Sequence, residues 1–376
     1  EVRQQVADEF DRFHRANADV PAPLQEAARV ASYINWSSVL APCAHMTRPG
    51  MVMSKKWMGN IWSWDHCFNA MALAEAMPEL AWDQFMVIFD HQLDTGQLPD
   101  MINDTTLQYN FVKPPIHGWA WRWMMRRNHW FAEPTRLSQA YARLSRWTRW
   151  WFDHRDPDDT GLPHYHHGND SGWDNGTAFD VGLPVQGPDL AAFLVQQMEV
   201  LAELAVALDK ADAAADWQRR ADATTAAMLD RLWAGDRFVT RHVPTGAVNQ
   251  RARSLINCLP IVIAHRLPDD VRRAVVQSIR AHLTDWGLAT ERPDSDLYEA
   301  DGYWRGPIWP APTWIVIDGL RVAGEADLAQ AVADRFVRLC VESGFSENYD
   351  ALTGAALRDR SYTWSSSLFL ALARER

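Results

Sequence analysis

Several things are scarce in this chain of 376 residues. Cysteine is one. Cys43, Cys67, Cys258 and Cys340 lie far apart, with no CxxC pair and no Cys/His cluster at zinc spacing, so neither a disulfide framework nor a zinc module is encoded. They read as buried thiols, with cytoplasmic location as the expectation. Positive charge is also short. Lys plus Arg number 37 against 48 Asp plus Glu, a net charge of -11 that repels phosphate backbones and anionic lipid and argues against nucleic-acid or membrane partners. Long apolar runs are few: Leu255 to Ala264, the best window, is broken by Asn257 and Pro260, which predicts no membrane span. Glu1-Val2-Arg3-Gln4-Gln5 holds no apolar stretch of leader type. Alternating β pattern is rare, and no Ser/Gly linker, composition step or solenoid repeat divides the chain, so residues 1–376 are expected to form one domain.

What is present is helical periodicity and tryptophan. Leu190, Phe193, Leu194, Met198, Leu201, Leu204 and Leu208 recur at the three/four spacing of an amphipathic helix, as do Leu137, Tyr141, Leu144, Trp147 and Trp151. Similar segments predict helices near 1–16, 25–35, 65–77, 80–94, 117–130, 136–153, 188–209, 213–232, 252–265, 269–282, 309–322, 325–342 and 362–375. Arg237 to His242, ahead of Pro244-Thr245-Gly246, suits a small hairpin. Brief connections alternate with long ones at 43–64, 95–116, 154–187, 283–308 and 343–361, and loops that long inside a domain usually carry function. Helices paired in this way predict an all-α toroid with the long loops at one end.

Tryptophan numbers 20, and many of these lie beside Gly, Pro, Asp or Arg rather than inside apolar periodicity. An indole offers a flat apolar face and an N–H donor, which suits a sugar ring with its C–H face and edge hydroxyls; the other reading is a Trp-rich core. Trp62-Ser63-Trp64-Asp65-His66 precedes a helix, so Asp65 is a first-turn acid, an N-cap or a ligand contact. The loop at 161–176 holds His164, His166 and His167 without helical metal spacing, and Asp174 between Trp173 and Asn175, where apolar neighbours raise a carboxyl pKa as a general acid requires. Asp301 to Pro310 interleaves aromatics with Arg305 and Gly306. Glu347 stands just past a helix end, an unfavourable place for negative charge and hence a hint of function. Two carboxylates on separate loops among indoles fit glycoside hydrolysis; their spacing, and so the stereochemical outcome, is open at this point.

Five segments also resemble, in order, the signature loops of glycoside hydrolase family 63 and its (α/α)6-barrel relatives, among them the mannosylglycerate and glucosylglycerate hydrolases. They are Trp62-Ser63-Trp64-Asp65-His66-Cys67-Phe68, Pro114-Pro115-Ile116-His117, Ser171-Gly172-Trp173-Asp174-Asn175, Tyr303-Trp304-Arg305-Gly306-Pro307-Ile308-Trp309-Pro310, and Ser346-Glu347-Asn348-Tyr349-Asp350 with Tyr362-Thr363-Trp364-Ser365. The resemblance implies an (α/α)6 barrel, an inverting mechanism and no cofactor or metal. It implies Asp174 as general acid and Glu347 as general base. Trp62, Trp64, Asp65, Lys113, His117, Trp173, Trp304, Arg305, Gly306, Trp309 and Trp364 would bind substrate. Two departures stand out: Lys113 replaces a usual Gln, and Gly176-Thr177-Ala178-Phe179 replaces Ser-Pro-Arg plus an aromatic.

The expectation is therefore an exo-acting inverting glycosidase for a small α-glycoside, α-glucoside first, α-mannoside or glycosylglycerate second. Lys113 and Arg305 are the candidates for clamping a glycerate carboxylate. A catalytically silent sugar-binding protein on the same barrel is one alternative. The other is a uronic-sugar lyase or epimerase using Lys113 and the loop histidines.

Overall fold

In the computed structural model, which describes residues 2–376, twelve α-helices account for nearly half of the chain. They are α1 (Val2–Asn17), α2 (Gln25–Trp36), α3 (Asp65–Leu73), α4 (Pro78–Met86), α5 (His117–Arg127), α6 (Pro134–Arg155), α7 (Pro188–Ala207), α8 (Ala211–Leu232), α9 (Asp269–His282), α10 (Pro310–Val322), α11 (Ala326–Ser343) and α12 (Thr363–Arg374). Four of them start on proline, at Pro78, Pro134, Pro188 and Pro310. A first-turn N–H has no intrahelical acceptor, so proline loses nothing there and presets φ. This moves the starts of α4 and α6 two residues ahead of those expected from periodicity.

The segment expected as a helix at 252–265 is instead a run of 3-10 turns, Leu255–Arg266. Pro260 lies inside it, denying a backbone donor and crowding the preceding turn, and Ile263 departs to φ -113°, ψ 32°. The hairpin expected at 237–246 forms in part. Its turn closes through Gly246 N–H to the His242 carbonyl, but Arg241–His242 takes Val185–Gln186 as its antiparallel strand partner.

Helix packing closes a ring. α3, α5, α7, the 3-10 segment, α10 and α12 each pack against the next, and α12 returns to α3. Outside them α4, α6, α8, α9, α11 and α2 each cover a neighbour, and α1 packs on α2. This is the (α/α)6 barrel. Burial separates the two rings: every residue of α3 is buried, whereas α9 buries only Val271, Val275, Val276, Ile279 and His282. One contiguous set of buried apolar side chains runs from Phe13 to Ala373.

Two expectations from composition are corrected. α7 is long and apolar enough to cross a membrane by length and composition, with a mean hydropathy of 1.5, yet 72% of that window is buried as an inner helix of the barrel. Its glutamines and acids punctuate the run, so no unbroken apolar stretch marks it in the sequence. Cys67, Cys258 and Cys340 are buried, but Cys43 is exposed.

Candidate active site

The five segments converge because they lie in the connections that lead to the N-termini of the inner helices α3, α5, α7, α10 and α12. They enclose an inner cavity of about 40 Å³ lined by Met58, Trp62, Trp64, Asp65, Lys113, Gly172, Asp174, Tyr303, Trp304, Trp309, Glu347, Tyr362 and Trp364. Met58, Tyr303 and Glu347 also face an outer vestibule of about 800 Å³.

The aromatic wall is tied down side chain by side chain. Trp304 and Trp309 stack at 3.8 Å between centroids and 8° between planes. Trp309 Nε1 donates to the Tyr303 carbonyl (2.8 Å), and Trp364 Nε1 donates to the Glu347 carbonyl (3.1 Å). Gly172 is required where it is: its φ is 75°, and a Cβ would lie 2.5 Å from the Trp64 ring. Asn175 joins two of the loops, donating to the Gly302 carbonyl and accepting from Trp304 N–H, both at 3.0 Å.

Burial sets the charges. Glu347, 4% exposed, lies on the strand Ser346–Tyr349; its carboxylate accepts from Tyr303 Oη (3.2 Å) and from Asp359 N–H (3.3 Å). Desolvation raises its pKa, and those two donors oppose the rise. Asp174 is raised for the same reason, against the pull of Lys113. Asp65, the first residue of α3 and 4% exposed, is pushed up to about 8 by burial. The ammonium of Lys113 lies 3.3 Å from Asp100 and donates to the Asn169 carbonyl (2.7 Å). It therefore neutralises the acidic floor. Two carboxyl groups whose pKa burial raises, both opening onto one cavity, can give a proton at one face of a bound ring and take one at the other.

Nine of the expected residues line the cavity: Trp62, Trp64, Asp65, Lys113, Asp174, Trp304, Trp309, Glu347 and Trp364. Four do not. Trp173 lies behind the wall, its indole 4.9 Å from that of Trp304. Arg305 turns away and binds Asp180 through both Nη atoms at 3.0 Å and Glu299 through Nε at 3.1 Å, so it clamps loops together and is no free anion site. Gly306 is buried, its N–H held by Thr290 Oγ1 at 3.0 Å. His117 is buried among His66, Phe85, Phe89 and Trp147. Tyr303 and Tyr362 also line the cavity; both lie inside the quoted segments, but indoles and charges give the stronger sequence signal there and mask them.

Neither His164 nor His166 reaches the cavity; their Nε2 atoms lie 3.0 Å apart, and burial brings His164 down to about 4. None of the loop histidines lines the cavity, so of the groups the lyase or epimerase reading would use, only Lys113 is there. A different trio, His66, Cys67 and His117, has ligand atoms within 4.8 Å of one another. Burial holds the thiol well above its ordinary pKa and the imidazoles below theirs, and none of the three lines the cavity.

An (α/α)6 barrel whose loops bring paired carboxyl groups into an indole-lined pocket is the architecture of a glycoside hydrolase. Residues 58–365 match the mannosylglycerate hydrolase MGH1-like glycoside hydrolase domain, and the chain belongs to that family of inverting enzymes. It is 24% identical to the mannosylglycerate hydrolase of Rubrobacter radiotolerans, over 93% of this chain and 96% of that one. It is 22% identical to the glucosylglycerate hydrolase of Mycolicibacterium hassiacum, over 93% and 97%. Among solved structures, the family 63 mannosylglycerate hydrolase of Thermus thermophilus in complex with glucose superposes with a TM-score of 0.79 at 21% identity, covering 92% of this chain and 99% of that one. Neutral trehalase of Saccharomyces cerevisiae gives 0.66 at 15%, covering 87% and 73%.

Proposed function

We propose that this enzyme hydrolyses a small α-glycoside with Asp174 as general acid and Glu347 as general base. The observation that carries the reading is the single indole-walled cavity onto which both desolvated carboxyl groups open. Asp174 gives its proton to the glycosidic oxygen as the C1–O bond breaks. Glu347 takes a proton from a water whose oxygen attacks C1 from the opposite face, and the anomeric configuration inverts. Proton exchange with solvent returns both groups to their starting states.

Sugar and aglycone divide between the two cavities, the sugar inside and the aglycone in the vestibule. The inner volume of about 40 Å³ holds only a few waters, so a pyranose enters when Met58 and Tyr303, the wall shared by both cavities, move outward. α-Glucosides lead on sequence grounds; the names of the relatives bring α-glucosylglycerate and α-mannosylglycerate to the front of the panel. Proton NMR of early products is the test: a β-anomer from an α-linked substrate is expected. An α-anomer, or binding without release, would overturn the assignment.

A further inference from the structure

The chain is acidic overall, but the mouth of its pocket is not. Lys55, Lys56, Arg358 and Arg360 line the vestibule. Arg358 pairs with Asp301 at 2.7 Å, while Lys55, Lys56 and Arg360 form no ion pair among the described residues. Two carboxylates share that wall. Glu347 is buried and held by Tyr303, and Asp359, 6% exposed, accepts from Trp57 N–H (3.1 Å) and from Ser54 Oγ. Asp359 therefore ties the Lys55-Lys56-Trp57 turn to the Arg358–Arg360 strand and sets the cations of the two segments across one opening. The indole of Trp57, 75% exposed, stands beside them with Lys56 Nζ 5.5 Å from its ring centre, and Tyr33 is 54% exposed.

One carboxylate neutralises one such cation, and a three-carbon acid fills a small part of 800 Å³. We infer that the vestibule takes an aglycone carrying a phosphate monoester, a dianion shared by Lys55, Lys56 and Arg360. The inference rests on the proposed placement of the sugar inside and the aglycone outside. The phosphate ester is untouched by the reaction: water cleaves the glycosidic bond and releases the sugar and the phosphorylated alcohol.

The test compares α-glucosides and α-mannosides of glycerol, glycerate and 3-phosphoglycerate. Exposed pairs each contribute a few-fold, so kcat/KM at low ionic strength should be about tenfold higher for the phosphorylated than for the neutral substrate, mostly through KM. Added salt should erode the advantage. The double variant Lys56→Gln/Arg360→Gln should bring the two substrates within about twofold of each other. Calorimetry with free 3-phosphoglycerate, glycerate and glycerol reads the vestibule without turnover, and only the first should bind well, with binding lost in the double variant. Equal kcat/KM for neutral and phosphorylated substrates, or equal binding of glycerate and 3-phosphoglycerate, overturns the inference while leaving the hydrolase reading intact. Tight 3-phosphoglycerate binding with no glycoside cleaved overturns the hydrolase reading and supports the anion site.

Discussion

Asp65 gives the sharpest link between this pocket and stability. In the unfolded chain its carboxyl ionises near 3.8; in the fold, burial moves it to about 8. The folded state therefore keeps a proton that the unfolded state releases, and stability falls as pH rises from the lower value to the higher and then levels off. Each tenfold change in proton activity within that window costs about 1.4 kcal/mol. Between pH 5 and pH 9 the penalty grows by at most about 4 kcal/mol, since three of those four pH steps lie below 8 and water admitted to the cavity lessens the burial. Asp65→Asn removes the titration while keeping size and polarity. Equilibrium urea unfolding of both proteins at pH 5, 7 and 9 should show the variant gaining on the wild type as pH rises, by a few kcal/mol across the range. Titration of groups outside the pocket is common to both proteins and cancels in the difference, leaving Asp65 and the neighbours coupled to it, Asp100 and Asp174. A stability difference that stays constant from pH 5 to pH 9 would refute the argument. Loss of turnover in the same variant is expected, because Asp65 lines the cavity.

Asp174→Asn and Glu347→Gln should each lower kcat by about 100-fold to 10,000-fold with the helical circular-dichroism signal unchanged; a variant within tenfold of wild type removes that residue from its role. The pH–rate profile should be bell-shaped, falling on the acid side as Glu347 takes up a proton and on the alkaline side as Asp174 loses one. Burial raises both groups, so both limbs should lie above the ordinary carboxyl range, and an acid limb at the ordinary glutamate value would be the contrary result. Asn175→Ala removes the two hydrogen bonds between the Asp174 loop and the Gly302–Trp304 turn, at about 1–3 kcal/mol of stability. Its kcat should fall more than its KM rises, because the loop that aims the acid is loosened.

Much of the barrel was legible because inner helices carry periodicities that local sequence reports directly. The Leu190 to Leu208 face is one case, and α7 occupies Pro188–Ala207. Where the reading failed, one residue outweighed the pattern: Pro260 turned an apolar, helix-like run into 3-10 turns, and Pro78 and Pro134 drew two helix starts earlier. The most apolar helix, α7 rather than Leu255–Ala264, was masked for another reason. A window broken by Gln196, Gln197 and Glu199 hides high mean hydropathy, and only the closed ring shows that Gln197 has a partner, donating to Thr148 Oγ1 at 2.9 Å.

The site divides by what a motif can encode. A motif locates a segment near the pocket: four of the five line it directly, and Pro114–His117 follows Lys113, which does. It does not encode which way alternate residues point, and Tyr303-Trp304-Arg305-Gly306 shows the consequence. Tyr303, at φ 63°, turns its ring and hydroxyl to Glu347, and Trp304 forms wall; the next side chain, Arg305, swings outward to Asp180 and Glu299. A charged residue in an aromatic run invites assignment to substrate, yet desolvating a guanidinium inside a pocket of about 40 Å³ would cost several kcal/mol without a paired anion, whereas two carboxylates meet it at the surface. Lys113 is the converse: it stays in the pocket because Asp100 pairs with it at 3.3 Å, so its charge is compensated by the floor. The cations free to meet an anionic aglycone lie instead at 55–56 and 360, outside every segment that carried the family resemblance, where only the folded chain brings them together.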